Sequence, residues 1–407
     1  MNEFLKFYGE HHISPVSQDI SDFERHLARR KRLYELVNIH PFAFRGARML
    51  EVGAGSGYNT LLFLKLGAIV DIVEPNAAGR EQMIKLFTEY KIPQEQYKIH
   101  PCTIESYDSA ERYDFIIAEG FLPWVDKKQR KGIITQLWRY AKKDAGIVVT
   151  TQCEFSFFLE DLRRILGLVL VRGVSEFKQK VEMLSKAFVS HLQTLGFASR
   201  PIADWVIDNI LNPAADVKPL SIQGCVEEFA SVAGGGGYSP SVQEKISINP
   251  ATLEVLGSSP NMIGNLSWYK DMSYSYGEVI LESFERFRHI LLCTEFGFFW
   301  REDRKNTLLL ERLSALRELI KAYRESESVE SVKKICDILD SIIAENEDLG
   351  EFFTQSVNEC VGLLRDYADG VAELNAESIA SMPTFQNAWG RGQQYVSFVK
   401  RIEENRI

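Results

Sequence analysis

Two short apolar runs, Met49-Leu50-Glu51-Val52 and Ala68-Ile69-Val70-Asp71-Ile72-Val73, flank a stretch, Tyr58 to Leu66, that reads as a helix. Each run has the length of a strand buried on both faces, and each closes on an acid, Glu51 and Glu74. Tyr97-Lys98-Ile99-His100, Tyr113-Asp114-Phe115-Ile116-Ile117-Ala118 and Ala145-Gly146-Ile147-Val148-Val149-Thr150-Thr151 continue the alternation. Strands alternating with helical patterns predict an α/β core with a parallel sheet over residues 41–155.

From Glu154 onward the periodicity becomes helical. Phe155 to Leu168 is an apolar-rich helix, and Val181, Leu184, Phe188, Val189, Leu192 and Leu195 form a helical stripe that stops at Gly196. Ala203 to Leu211 reads as a further helix ending at Asn212-Pro213. Residues 213–265 read as loop-rich, with a flexible point at Gly234-Gly235-Gly236-Gly237. Tyr276 to Thr294 resumes an apolar pattern. Three stripes follow: Leu309, Leu313, Leu316, Ile320 and Tyr323; Val329, Val332, Cys336, Leu339 and Ile343; Val357, Val361, Leu364, Ala368, Val371 and Leu374. They predict a C-terminal bundle whose stripes serve as core or as dimer contact. The expected division is an N-terminal helical cap (1–40), the α/β core (41–155), an insert for substrate recognition that returns to the core (156–295) and a helical domain (296–407). The last core strands fall after the insert, with His289-Ile290-Leu291-Leu292-Cys293-Thr294 as one candidate.

Chemistry concentrates in Glu51-Val52-Gly53-Ala54-Gly55-Ser56-Gly57. Glycine permits positive φ and removes the side chain that would hold a ligand away. The free N–H groups at the start of the following helix then face that ligand. Glu74, at the tip of the second run, is placed to accept hydrogen bonds from both hydroxyls of an adenosine ribose. The third glycine comes one residue too early for the dinucleotide pattern G-x-G-x-x-G. Glu51 opposes a pyrophosphate but suits a cofactor with ammonium and sulfonium charges.

These residues resemble the first motif of class I S-adenosylmethionine-dependent methyltransferases, and Val73-Glu74-Pro75-Asn76 resembles the second. The resemblance covers about residues 40–155. It implies a Rossmann-like core and S-adenosylmethionine as cofactor, with S-adenosylhomocysteine as product. Glu51, Gly53, Ala54, Gly55, Gly57, Glu74, Pro75 and Asn76 would hold it. The third-strand segment brings Thr103 and Ile104 beside adenine, Thr103 standing where the family often has an acid. The fourth brings Glu119 to the transferred methyl, as cofactor contact and candidate general base.

His11 and His12, in the break after Tyr8-Gly9, are candidates to face substrate, His12 as a second candidate base. Trp268, Tyr269 and Asn209 are candidate substrate contacts, since aromatic faces beside hydroxyl and amide groups suit a polar ring or sugar. His100 lies in a strand pattern, and no cluster has metal-ligand spacing, so no metal is expected. The expected reaction is methyl transfer to oxygen or nitrogen of a small molecule or glycan. The alternatives are a catalytically silent module with a partner-binding tail and an NAD-dependent oxidoreductase.

Bulk properties narrow this reading. The 407 residues are 45% hydrophobic and 25% charged, enough for a large core without disulfides. A net charge of −9 argues against a nucleic-acid partner, and the basic run Arg29-Arg30-Lys31-Arg32 reads as a solvated helix face. The six cysteines show no C-x-x-C spacing, which fits a reducing cytoplasm. No segment is long enough to span a membrane, and homodimerisation through the helical regions is the expected assembly.

Overall fold

The computed structural model describes residues 6, 7, 10, 20–152, 157–194, 200–213, 219–233, 253–260, 304–346, 351–389 and 394–400. Along the chain run α1 (Phe23–Leu36), β1 (Arg48–Val52), α2 (Thr60–Lys65), β2 (Ile69–Val73), α3 (Ala77–Glu89), β3 (Tyr97–His100), β4 (Tyr113–Ala118), α4 (Lys127–Tyr140) and β5 (Ala141–Thr151). Then follow α5 (Phe158–Leu170), α6 (Phe177–Thr194), α7 (Ile202–Val206, continued by a π turn, Ile207–Leu211), α8 (Ile222–Val232) and β6 (Leu253–Pro260). The chain continues through α9 (Arg304–Ser326), α10 (Val329–Glu345), α11 (Glu351–Ala368), α12 (Ala376–Ala380) and β7 (Gln394–Lys400). The chain divides into two compact units: 1–152 with 217–263 and 393–407, and 153–216 with 264–392.

The first unit holds a seven-stranded sheet of order β3-β2-β1-β4-β5-β7-β6. Strands β1 to β5 run parallel, and β7 runs antiparallel to both β5 and β6. The order reverses between β1 and β4, so their carboxyl ends open a crevice where α/β sheets bind ligands. Helix caps fix the entries: Asp22 accepts from the Arg25 N–H, Asp126 from Gln129, and Asn76 from Ala78 and Gly79. Beneath them Leu33, Tyr34, Val37, Phe44, Met49, Phe63, Val70 and Ile72 join one buried cluster. Helix α1 is therefore part of this core, where a separate cap over 1–40 was expected.

Three further expectations change. The stretch 213–265, read as loop-rich, contains α8 and β6. Arg130 of α4 pins α8 through a bidentate pair with Glu228, at 2.8 and 2.9 Å. The region 296–407 is not helical to its end, because β7 returns to the sheet. Its Tyr395, Val396, Phe398 and Val399 are buried, and it covers the edge that β5 would otherwise expose. The stripe over Val357 to Leu374 is cut at Ala368, after which Gly370 turns with φ 70° and Val371 is exposed. The candidate strand 289–294, the four glycines and the apolar stretch 276–294 lie outside the described residues.

In the second unit the stripes of α9, α10 and α11 meet α5 and α6 in one buried cluster, including Leu313, Leu339, Val357 and Leu364. They form core in this unit. Arg163 of α5 is fully buried there. Its guanidinium lies 3.6 Å from the Trp389 ring centroid, and it donates to the carbonyls of Phe385 at 3.1 Å and Ala388 at 2.6 Å. Among the described residues, no helix is long and apolar enough to cross a membrane.

Candidate active site

The turn between β1 and α2 is built as its glycines require. Gly53, Gly55 and Gly57 have φ of 74°, 57° and 79°, the left-handed region that side chains resist. Glu74, leaving β2, holds this turn from one side. Its Oε2 accepts the Gly55 N–H at 2.7 Å and its Oε1 the Asn76 N–H at 2.7 Å. Burial pushes the Glu74 carboxyl above its usual range, and the two N–H donors oppose that shift. Each oxygen keeps a further lone pair for a hydroxyl donor. Gly79, in the first turn of α3, packs so closely that a Cβ there would lie 2.9 Å from the Gly55 carbonyl oxygen. No sequence reading identified Gly79, because its need arises from helix and turn meeting backbone to backbone.

Glu51 is buried at the tip of β1, and its Oε2 has no hydrogen-bond partner. Burial pushes its carboxyl up to about 8, so it carries a proton at neutral pH. A buried carboxyl beside a glycine turn fits a cofactor that brings positive charge to it. Ala54 is buried, Pro75 half-buried, and Asn76 caps α3. Thr103 is half-buried and leads into a short turn, Ile104–Ser106, whose Ile104 is buried.

Glu119 follows β4 directly, at the expected strand tip. Its carboxylate accepts five hydrogen bonds. Arg30 Nη2 donates to Oε1 at 2.6 Å and Oε2 at 2.8 Å. The Tyr34 hydroxyl donates to Oε1 at 2.5 Å, and Tyr395 and Asn59 donate to Oε2 at 3.0 and 3.3 Å. Burial works against the charge on Arg30, but Glu119, Tyr34 and Tyr395 outweigh it and hold the guanidinium well above its ordinary value. Burial also raises Tyr34 and Tyr395, so both stay protonated donors. A general base needs a lone pair aimed at substrate. Both Glu119 oxygens are occupied in this way.

The clustering corrects one more reading. Arg30, taken as part of a solvated basic face, is buried. Its signal was the spacing His26, Arg30, Tyr34, which puts three polar residues on one face of α1. Tyr395 had no local signal, since only β7 brings it here. His26 Nε2 lies 3.0 Å from the Tyr58 carbonyl. His100 instead bonds Asp71 at 2.7 Å inside a network with Tyr113 and Tyr107. Asn209 belongs to the other unit and donates to the Trp205 carbonyl within its own helix. His11, His12, Trp268 and Tyr269 lie outside the described residues.

A family profile described as a methyltransferase domain matches residues 23–197. Among solved structures, the glycopeptide N-methyltransferase MtfA complexed with S-adenosyl-L-methionine is 18% identical, covering 27% of this chain and 49% of that one, with a TM-score of 0.25. The Burkholderia thailandensis 1,6-didemethyltoxoflavin-N1-methyltransferase is 18% identical over 37% of this chain and 60% of its own, with a TM-score of 0.28. PKMT2 from Rickettsia typhi, in complex with AdoHcy, is 16% identical over 69% and 50%, with a TM-score of 0.40. The chain spans less than two thirds of the length of each of these proteins. No match was found among curated protein sequences.

Proposed function

We propose that this chain, whose residues 23–197 match a methyltransferase-domain profile, is a class I S-adenosylmethionine-dependent methyltransferase that methylates a small-molecule or glycan-type acceptor at nitrogen or oxygen. The observation that carries the cofactor assignment is the cradle of Glu74, the glycine turn and Gly79, where backbone approaches backbone too closely for a side chain at Gly79. In this reading the glycine turn and Ala54 line the methionine and ribose, and Glu74 accepts the ribose hydroxyls. Pro75, Asn76, Thr103 and Ile104 flank adenine. Glu51 gives up its proton to meet the ammonium end.

The cofactor supplies a methyl already activated on sulfonium, taken by an in-line displacement. The protein's task is then alignment, which contributes up to about 7–11 kcal/mol for well-oriented reactants. An alcohol acceptor needs a base, and Glu119 is engaged in five hydrogen bonds. That favours an acceptor with a ready lone pair, an amine nitrogen. His12 remains the proposed base should the acceptor be oxygen, with His11, Trp268 and Tyr269 as proposed acceptor contacts. The net charge of −9 supports a non-nucleic-acid acceptor.

Titration calorimetry with S-adenosylmethionine and S-adenosylhomocysteine tests this. Micromolar binding is expected. Glu74→Ala should weaken it about tenfold or more, since bonds to a charged group are worth about 1.5–3 kcal/mol each. Absence of binding to both ligands would favour the catalytically silent module. Binding indifferent to Glu74→Ala would remove Glu74 from the ribose.

A further inference from the structure

The exit of the glycine turn is gripped by residues from three distant parts of the chain. His26 of α1 lies 3.0 Å from the Tyr58 carbonyl, and Glu119 accepts from the Asn59 side chain at 3.3 Å. Tyr58 and Asn59 are the two residues that directly follow Gly57. Glu119 is in turn fixed by Arg30 and Tyr34 of α1 and by Tyr395 of β7. Arg30 is itself held: it donates to the hydroxyls of Tyr34 at 3.0 Å and Tyr395 at 3.2 Å, and its guanidinium lies 5.3 and 5.9 Å from their ring centroids. Arg30, Tyr34 and Tyr395 are buried and Glu119 is part-buried, and the four bond one another, so moving one member leaves another polar group unpaired.

We infer that Arg30, Tyr34, Glu119 and Tyr395 form a positioning clasp that fixes the far side of the cofactor-binding turn, opposite the hold of Glu74 on Gly55. None of the four needs to touch the reacting atoms. They act through Asn59, and His26 through Tyr58, by holding the turn in its shape. The acid at the strand tip thus serves as an anchor for the N-terminal helix, where a free acid would serve as a base. The inference rests on the S-adenosylmethionine reading above.

The test is calorimetric titration of the full chain with S-adenosylhomocysteine, well below the melting midpoint of each variant. Arg30→Met leaves the part-buried Glu119 without its cation, and affinity should fall about tenfold or more. Adding Glu119→Gln to Arg30→Met removes the stranded charge and should recover part of that loss. Tyr395→Phe deletes one donor and is expected to cost about threefold. Arg30→Lys keeps the charge and should fall between wild type and Arg30→Met. If folded Arg30→Met and Tyr395→Phe bind within about twofold of wild type, the network only stabilises the fold, and the clasp is overturned. Should Arg30→Met fail to fold, Tyr395→Phe and Arg30→Lys decide. Wild type that binds no S-adenosylhomocysteine would overturn the cofactor reading itself, and the clasp's role with it, an outcome distinct from variants that match a binding wild type.

Discussion

Of the four arginines buried among the described residues, Arg30 of the first unit and Arg163 of the second have opposite surroundings. Arg30 faces a carboxylate and two phenols; its charge is matched, and the matching anion stands at the open end of the sheet. Arg163 has no acid within hydrogen-bond reach among the described residues. It lies against the Trp389 and Phe385 rings and donates to carbonyls at the turn Phe385–Asn387 and just after it. Burial accordingly lowers Arg163 to about 10, while Arg30 is held high. A paired buried cation ties together groups that must keep their charge at a site. An unpaired one is tolerated where carbonyl dipoles and aromatic faces replace water, and its work is to fix a bend of the chain.

The largest expected effect separates the two. Arg163→Met should lower stability by about 3 kcal/mol in urea unfolding followed by tryptophan fluorescence, because two buried carbonyls lose their donor. No second substitution that deletes an acid should rescue it, unlike the Arg30→Met and Glu119→Gln pair. A loss under about 1 kcal/mol would mean the carbonyls find other donors, and the contrast would dissolve.

A smaller effect sharpens the contrast in the first unit. Glu51 is raised when folded, so between about pH 4.5 and 8 the folded protein keeps a proton that the unfolded chain has released. Stability therefore falls as pH rises through that window, and the penalty is complete above it. Glu51→Gln should be more stable than wild type at pH 9, with the gap closing toward pH 4.5. Melting midpoints across pH read this directly, and a gap that does not vary with pH would contradict it.

The second unit should show the reverse slope, and more weakly. His191 is fully buried, with Nε2 2.9 Å from the Ile379 carbonyl, which can only accept. Burial, and then the charge of Arg163, lowers it to about 3. Below about pH 6.5 the unfolded chain takes up a proton that the folded one refuses, so stability falls as pH falls. His191→Gln should flatten that slope, a difference of about 1 kcal/mol near pH 4.5. An unchanged acid slope would relocate the effect to other groups.

What the sequence disclosed follows from range. The glycine turn, Glu74, and strands β1 to β5 are encoded within spans of a few residues, where periodicity and backbone demands act locally. β7 is also an alternating run, but it follows a long helical stretch and acquires meaning only beside β5. Burial of Arg30 depends on Tyr395, far away in sequence, so a run of four basic residues looked like solvent-facing surface. Glu119 does follow its strand tip, but the donors around it come from α1 and β7, which no local pattern predicts. The helical stripes of α9 and α10 disclosed their buried faces, while Gly370 cut the third stripe short.

One feature of the sheet bears on how the molecule is made. β7 pairs with β5 along Gly146 to Thr151, although a whole helical unit is encoded between them. During synthesis the ribosome delivers the parallel strands first and this partner very late. Until then the β5 edge is open to other chains. So distant a pairing is also slow to find. Because β7 carries Tyr395, the nascent chain displays its parallel strands well before Glu119 and Arg30 gain that partner. Chaperone protection should matter most for this protein in that interval.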